Sequence, residues 1–354
     1  MRKHKNMDIH EIYMRRCLTL AKNGLGYTYP NPLVGCVIVY KGMIIGEGWH
    51  QKAGEAHAEV NAINAVKDQD LLPEATLYVN LEPCSHHGRT APCADLIVKK
   101  KIKKVVIGII DANEKVQGQG VLRLEKNGVE VVTGILQEEC RELNKRFFTF
   151  HEKGRPYVIL KWAQSADGYI FPDRKQSKKR QPIWISNPYS RQTVHQWRAQ
   201  EASILVGKNT VIQDDPRLNT RDMAGNDILR MVIDKDLSIP MGSQIYDGEF
   251  DTVVYNAKKE GSEGRVNYVQ LDFSKEIVEQ ILSELHQKNI QSLIVEGGAY
   301  TLNKFLDTGL WDEARIFCGE KNFGGGIKAP VIHLKADKEE NILNDHLFWY
   351  RNTK

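Results

Sequence analysis

Apolar and polar positions along this chain organise it into two successive α/β patterns. Residues 34–40 form an apolar, β-branched run that reads as a buried strand. Lys41-Gly42 marks a turn, and residues 43–49 return as its hairpin partner. Residues 56–66 have helical spacing, with Val60, Ala62, Ile63 and Val66 on one side, which places His57 and Glu59 in a first helical turn. A short strand is expected at 76–80, and Cys93 opens a helix running over 94–100. Residues 129–132 read as the last strand of this half and 136–150 as one closing helix. Gly154 and Pro156 break the pattern at 152–156.

The pattern then restarts. Residues 156–162 read as a strand, 165–168 as a turn and 191–200 as a helix. Further strands are expected at 203–207, 231–234, 252–255 and 292–296, several separated by helices. Such alternation argues an α/β sheet with many parallel strands. The expected domains are 7–150 and 155–354. Gly297-Gly298 follows a strand and precedes a helix, a place where a phosphate can approach backbone N–H groups. The dinucleotide pattern G-x-G-x-x-G does not occur there.

Composition narrows the function classes. With 354 residues the chain is long enough for two cores. A formal charge of +4 is weak support for a polyanionic partner. The basic clusters at 99–104 and 175–180 lack interleaved aromatics, so they read as solvated faces and not as a nucleic-acid surface. Six cysteines in this length do not make a disulfide framework. No stretch has transmembrane length and the start has no apolar run behind it, so a cytoplasmic protein without membrane contact is expected.

The chemistry lies in His57-Ala58-Glu59, Glu82-Pro83-Cys84 and Pro92-Cys93. One imidazole and two thiolates supply three zinc ligands and leave the fourth tetrahedral position for water, whose pKa zinc lowers. Glu59, a carboxylate that does not ligate, can move protons between that water and a leaving ammonia. The motif implies exchange of an exocyclic amine for oxygen on a nitrogen heterocycle. Cys84 and Cys93 are eight residues apart, not two as in the common signature.

Pro30-Asn31-Pro32-Leu33-Val34-Gly35, Gly48-Trp49-His50, His57-Ala58-Glu59-Val60 and the stretch 81–93 resemble the riboflavin-biosynthesis deaminase/reductase family, in which the long insert is normal. The resemblance covers nearly the whole chain. It implies a cytidine-deaminase-like α/β/α domain followed by a dihydrofolate-reductase-like α/β domain. The first would deaminate 2,5-diamino-6-(5-phosphoribosylamino)pyrimidin-4-one, and the second would reduce its ribosyl group to ribityl with NADPH. By resemblance, His57, Cys84 and Cys93 hold zinc and Glu59 shuttles protons. Asn31 and His50 would face the pyrimidine, Asp111 and Asn113 would also bind the substrate, and His86, His87, Arg89 and Thr90 fill the insert with donors suited to a phosphate. Residues 111–114 read Asp-Ala-Asn-Glu where the family often has Asp-Pro-Asn-Pro, and Gly118-Gln119-Gly120 follows as the family pattern expects.

In the second half the resemblance rests on Leu160-Lys161, Ser165 to Gly168, Trp184-Ile185-Ser186, Arg198-Ala199-Gln200, 207–211, 214–219 and Val295 to Gly298. It implies that Ala163, Trp184, Thr210, Asp214, Gly298, Ala299, Tyr300 and Thr301 line the NADPH site. Arg198, Leu218, Arg221 and Glu296 would hold the phosphosugar, with Lys161 and Asp214 as the acids that sugar reduction requires. Pro182 stands where members often carry Ser, and the loop 171–182 is longer and more basic than usual. A homo-oligomer, dimer or tetramer, is a further implication. Three other readings stay open: a nucleoside or tRNA deaminase, a deaminase with a degenerate reductase-like half, and a zinc-stabilised binding protein with His86 or His87 as fourth ligand. His and two Cys also suit iron or cobalt.

Overall fold

The computed structural model describes residues 8–85, 91–113, 117–173, 183–220 and 227–353. The chain divides into two compact units between Gly154 and Arg155.

In the first unit the elements run α1 Ile9–Ala21, β1 Gly35–Tyr40, β2 Met43–Trp49, α2 Ala58–Ala65, β3 Thr76–Leu81, α3 Cys93–Lys99, β4 Lys104–Ile109, α4 Gln119–Lys126, β5 Glu130–Thr133, α5 Gln137–Leu143 and α6 Lys145–Lys153. The sheet order is β2-β1-β3-β4-β5, antiparallel at β2/β1/β3 and parallel from β3 to β5. Both Lys41 and Gly42 have positive φ, the backbone that a two-residue hairpin with right-handed strand twist requires. Alternate side chains feed two cores. Cys36, Ile38, Leu77, Val79, Val105 and Ile107 pack with residues of α2, α3 and α4. Val37, Val39, Tyr78 and Val106 pack with residues of α1, α5 and α6. The period of two along each strand therefore builds the α/β/α sandwich.

Two expectations from the sequence need correction. The helix at 56–66 begins at Ala58, and His57 is its N-cap with extended backbone (φ −71°, ψ 163°). Its buried side is Ala58, Glu59, Ala62 and Ile63, with Val60 only half-buried. The single closing helix at 136–150 is two helices, α5 and α6, meeting at Asn144. There the side chain of Asn144 turns inward. Its Oδ1 accepts from Leu33 N at 2.8 Å and its Nδ2 donates to Leu33 O at 2.9 Å. Asn144 itself leaves helical backbone geometry (φ −99°, ψ 21°), which separates α5 from α6 although its N–H still donates to Cys140 O and its C=O accepts from Phe148 N.

In the second unit the elements are β6 Tyr157–Gln164, β7 Tyr169–Pro172, α7 Pro188–Gln200, β8 Ser203–Gly207, α8 Lys208–Asp214, β9 Leu229–Ile233, β10 Thr252–Asn256, β11 Gly261–Glu263, β12 Val266–Gln270, α9 Ile277–Gln287, β13 Ser292–Glu296, α10 Ala299–Thr308, β14 Glu313–Cys318, β15 Gly326–Lys328, β16 Lys338–Ile342 and β17 Asp345–Arg351. The large sheet has the order β11-β12-β10-β9-β8-β13-β6-β14-β17-β16. Strands from β12 to β14 in that order are mutually parallel, and β11, β17 and β16 pair antiparallel at the edges. Val158, Leu160, Leu205, Val253, Leu293 and Val295 face one core with α9 and α10. Ile159, Ile204, Val206, Val232 and Ile294 face the other with Val194, Trp197 and Val211 of α7 and α8. No helix among the described residues is long and apolar enough to cross a membrane.

Candidate active sites

In the first unit, three separated elements end at one point. His57 caps α2, Cys84 lies on the loop after β3, and Cys93 is the first residue of α3. Gly46 and Gly48 of β2 let α2 lie directly on the strand. A Cβ at Gly46 would stand 2.5 Å from Ala62 O, and one at Gly48 would stand 2.6 Å from Ala62 N. His57 Nδ1 is 3.5 Å from Cys84 Sγ and 3.3 Å from Cys93 Sγ, and the three donor atoms lie within 4.8 Å of one another. Cys93 N donates to Cys84 Sγ at 3.3 Å, and the Cys84 thiol is held below its ordinary pKa, first by its contact with Cys93 and then by His57. One nitrogen and two soft sulfurs converging in this way suit zinc. Among the described residues the donor cluster stops at three.

Glu59 is the second residue of α2 and is 3% exposed. Burial, then the charge of Cys84, pushes its carboxyl up to about 7, against the pull of His57. His50 Nδ1 donates to Ala56 O at 3.0 Å, so its Nε2 accepts from Asn31 Nδ2, also at 3.0 Å. The His50 ring stands edge-on to that of His57 with centroids 5.5 Å apart. Asn31, His50, His57 and Glu59 are thus brought together. Asp111 and Asn113 lie on the loop after β4, where Asn113 N donates to Asp111 Oδ1 at 2.7 Å. His86, His87 and Arg89 lie outside the described residues.

Asn80 and Asn144 were not legible as site residues. Asn80 Oδ1 accepts from Gly35 N and its Nδ2 donates to Leu33 O, so two buried amides clamp the segment that presents Asn31. Their signal in the sequence is only an Asn within an apolar strand and another within a helix.

In the second unit a cavity of about 690 Å³ opens beside the ends of β6, β8 and β13. Its lining includes Lys161, Ala163, Trp184, Arg198, Thr210, Asp214, Leu218, Glu296 and Gly298. Glu296 is its electrostatic centre. Arg198 grips that carboxylate with two bonds, Nε to Oε1 at 2.8 Å and Nη2 to Oε2 at 2.7 Å, and Lys161 Nζ lies 3.5 Å from Oε2. Burial alone would raise the Glu296 pKa, but Arg198 and Lys161 outweigh it and hold the group at about 2. Burial lowers the pKa of Lys161 despite that neighbour.

Gly298 N donates to Thr210 Oγ1 at 3.0 Å, and Gly298 caps α10 without a side-chain partner. A Cβ at Gly207 would stand 2.5 Å from Thr301 Oγ1, so glycine there lets α10 approach β8. A cavity of this size fits a dinucleotide, and Gly298 brings the start of α10 to its wall. Ala299, Tyr300 and Thr301 are not among the lining residues; Tyr300 is 74% exposed and Thr301 is buried. Arg221 and Pro182 lie outside the described residues. Arg191 was missed. It lines the cavity on the face of α7 that carries His195 and Arg198, and its guanidinium lies 4.4 Å from the centre of the Trp184 ring. The i, i+4, i+7 spacing of Arg191, His195 and Arg198 was the available signal.

Comparison with known proteins covers both units. Residues 7–109 match the family described as the cytidine and deoxycytidylate deaminase zinc-binding region, and residues 156–345 match the RibD C-terminal domain. The chain is 39% identical over 337 residues to the riboflavin biosynthesis protein RibD of Aquifex aeolicus, covering 94% of this chain and 93% of that one. It is 41% identical over 360 residues to RibD of Actinobacillus pleuropneumoniae, covering 96% and 94%. Its structure resembles that of the diaminohydroxyphosphoribosylaminopyrimidine deaminase/5-amino-6-(5-phosphoribosylamino)uracil reductase of Thermotoga maritima, with TM-score 0.88, 36% identity and coverage of 97% and 99%. A zinc-binding deaminase unit and a reductase unit in one chain, matched end to end by such relatives, make this protein a member of the RibD family of bifunctional riboflavin-biosynthesis deaminase/reductases.

Proposed function

We propose that the first unit deaminates 2,5-diamino-6-(5-phosphoribosylamino)pyrimidin-4-one and that the second reduces the ribosyl group of the product to ribityl with NADPH. The observation that carries this reading is that one chain holds both the His57–Cys84–Cys93 cluster with buried Glu59 and the Arg198–Glu296–Lys161 cluster at a dinucleotide-sized cavity.

His57, Cys84 and Cys93 would hold zinc, which supplies Lewis acidity for activating water. Glu59, with its pKa at about 7, suits a group that takes a proton from water and later gives one to the departing amine. His50, fixed as the Nδ1–H tautomer by Ala56 O, orients Asn31 toward the ring. Asp111 and Asn113 complete the pyrimidine contacts, and His86 and Arg89 are assigned to the phosphate.

In the second unit the cavity would hold NADPH, which would supply the hydride for reduction of the sugar. Lys161 is the candidate proton donor to the ring oxygen, because burial weakens its hold on its proton. Asp214 is the alternative acid. Arg198, Leu218, Arg221 and Glu296 are assigned to the phosphosugar; Ala163, Trp184, Thr210, Asp214 and 298–301 are assigned to the cofactor. The reading includes a homo-oligomer, dimer or tetramer, and a cytoplasmic location. The latter is supported by six cysteines with no pairing among them.

The test follows ammonia release and NADPH oxidation separately on the purified chain. Both signals are expected from the diamino substrate. Glu59→Gln should lose both and regain NADPH oxidation when given the deaminated intermediate. Ammonia release with no NADPH oxidation from either compound would overturn the reductase assignment.

A further inference from the structure

Glu82 is a buried carboxylate two residues before Cys84, and neither half-reaction uses it. It is 4% exposed, and no cationic side chain accompanies it in an ion pair among the described residues. Its partners are four backbone N–H groups. Oε2 accepts from Asp111 N at 3.2 Å and Gly118 N at 2.9 Å; Oε1 accepts from Gly120 N at 2.8 Å and Val121 N at 3.2 Å.

These donors belong to the loop after β4 and to the first turn of α4. Gly118 is the N-cap of α4, has φ +74° and offers no side chain to satisfy the first N–H groups of the helix. Glu82 takes that role from another element. Gly120 is required by the same contact, since a Cβ there would stand 2.1 Å from Pro83 O. Gly118-Gln119-Gly120 is therefore a socket for the Glu82-Pro83 segment.

We infer that Glu82 is a positioning residue for deamination, joining the strand end that delivers Cys84 to the loop that carries Asp111 and Asn113. The same carboxylate holds Asp111 by its backbone, and Asp111 in turn holds Asn113 N. The β3/β4 pairing ends where Glu82 N donates to Ile109 O at 3.0 Å, and beyond that point the Glu82 side chain ties the zinc-ligand segment to the loop that carries Asp111 and Asn113. This inference rests on the reading that Asp111 and Asn113 face the substrate.

Glu82→Gln replaces one acceptor oxygen by an NH₂ group that would face N–H donors. Cys84 keeps its own contact from Cys93 N, so zinc should stay. In the full chain, Glu82→Gln is expected to raise the deamination KM about tenfold or more while changing kcat by less than about threefold. One zinc per chain and unchanged reduction of the deaminated intermediate should accompany it. Gly120→Ala, which breaks the junction from the other side, should act alike. Asn113→Ala should raise KM with the junction intact, and combining it with Glu82→Gln should give less than the product of the two effects. Should Glu82→Gln prove insoluble, Glu82→Asp, which keeps the charge but shortens the reach, is read by the same criteria. A rise in KM for Asn113→Ala with none for the Glu82 variants would overturn the inference and leave the substrate reading intact. No change in KM for Asn113→Ala would overturn both. Loss of zinc and kcat at unchanged KM would also overturn the inference, reducing Glu82 to a brace for the ligand.

Discussion

Glu296→Gln should uncouple the stability of the second unit from acid. Glu296 is 8% exposed, and its carboxylate is shared by Arg198 and Lys161. Its pKa falls from 4.5 to about 2 on folding. A depressed carboxylate pKa contributes stability that is fully present above the unfolded value and is lost as pH falls through the folded one. The window is therefore between about 4.5 and about 2. At about 1.4 kcal/mol per unit, this shift corresponds to roughly 3 kcal/mol at neutral pH, of which about 2 kcal/mol should be gone by roughly pH 3. The same size follows from another direction, because removing one partner of a buried pair costs about 3–5 kcal/mol. The assay is urea unfolding followed by tryptophan fluorescence at several pH values. Trp162, Trp184, Trp197, Trp311 and Trp349 lie in the second unit and only Trp49 in the first, so the signal reads the intended transition. The difference between wild type and variant should be largest near neutrality and shrink toward pH 3. A constant difference across that range would refute the assignment of the shift to this cluster.

Chelation of zinc should abolish ammonia release while reduction of the deaminated intermediate by NADPH continues, checked by metal analysis beside the two assays. Asn144→Ala should destabilise the first unit by about 2–4 kcal/mol, since it strands the buried Leu33 N–H and removes a second bond; thermal inactivation of the deaminase reports it. Arg230→Met should cost more than about 4 kcal/mol. That guanidinium is fully buried, pairs with Asp247 and donates to the carbonyls of Arg217, Gln244, Ile245 and Phe250. Its effect should appear in the urea transition of the second unit.

The deaminase centre was legible because its ligands are flagged by local sequence. A His at a helix start, a Cys after a strand and a Cys at the next helix start each carry their own structural context. What escaped the sequence acts at long range. Asn144 bonds to a residue 111 positions earlier, and nothing near it announces that. Strand β14 was missed for a different reason. Glu313 and Arg315 interrupt its apolar pattern, yet both are buried, as an ion pair whose guanidinium lies against the rings of both Trp197 and Trp349. A paired charge can occupy a core position that periodicity reserves for a hydrophobe. The C-terminal hairpin β16/β17 was hidden likewise, because its outer strand is largely exposed. In the reductase cavity Lys161, Arg198 and Glu296 were found through resemblance, and their convergence on one carboxylate became visible only once β6, α7 and β13 were adjacent.

The order of the large sheet bears on how this protein is made. Strand β6 is the first of its unit to leave the ribosome, yet its neighbours are β13 and β14. Ser292 follows Gln164 by 128 residues, so at about 5–20 residues per second β6 waits roughly 6 to 26 seconds for its first partner. During that interval an apolar strand, Tyr157–Gln164, has both edges unpaired. The deaminase unit has all its strands by Thr133 and can close first. A nascent chain halted before Ser292 would thus carry a finished deaminase tethered to an aggregation-prone tail, which makes the second half the one that leans on chaperones during synthesis.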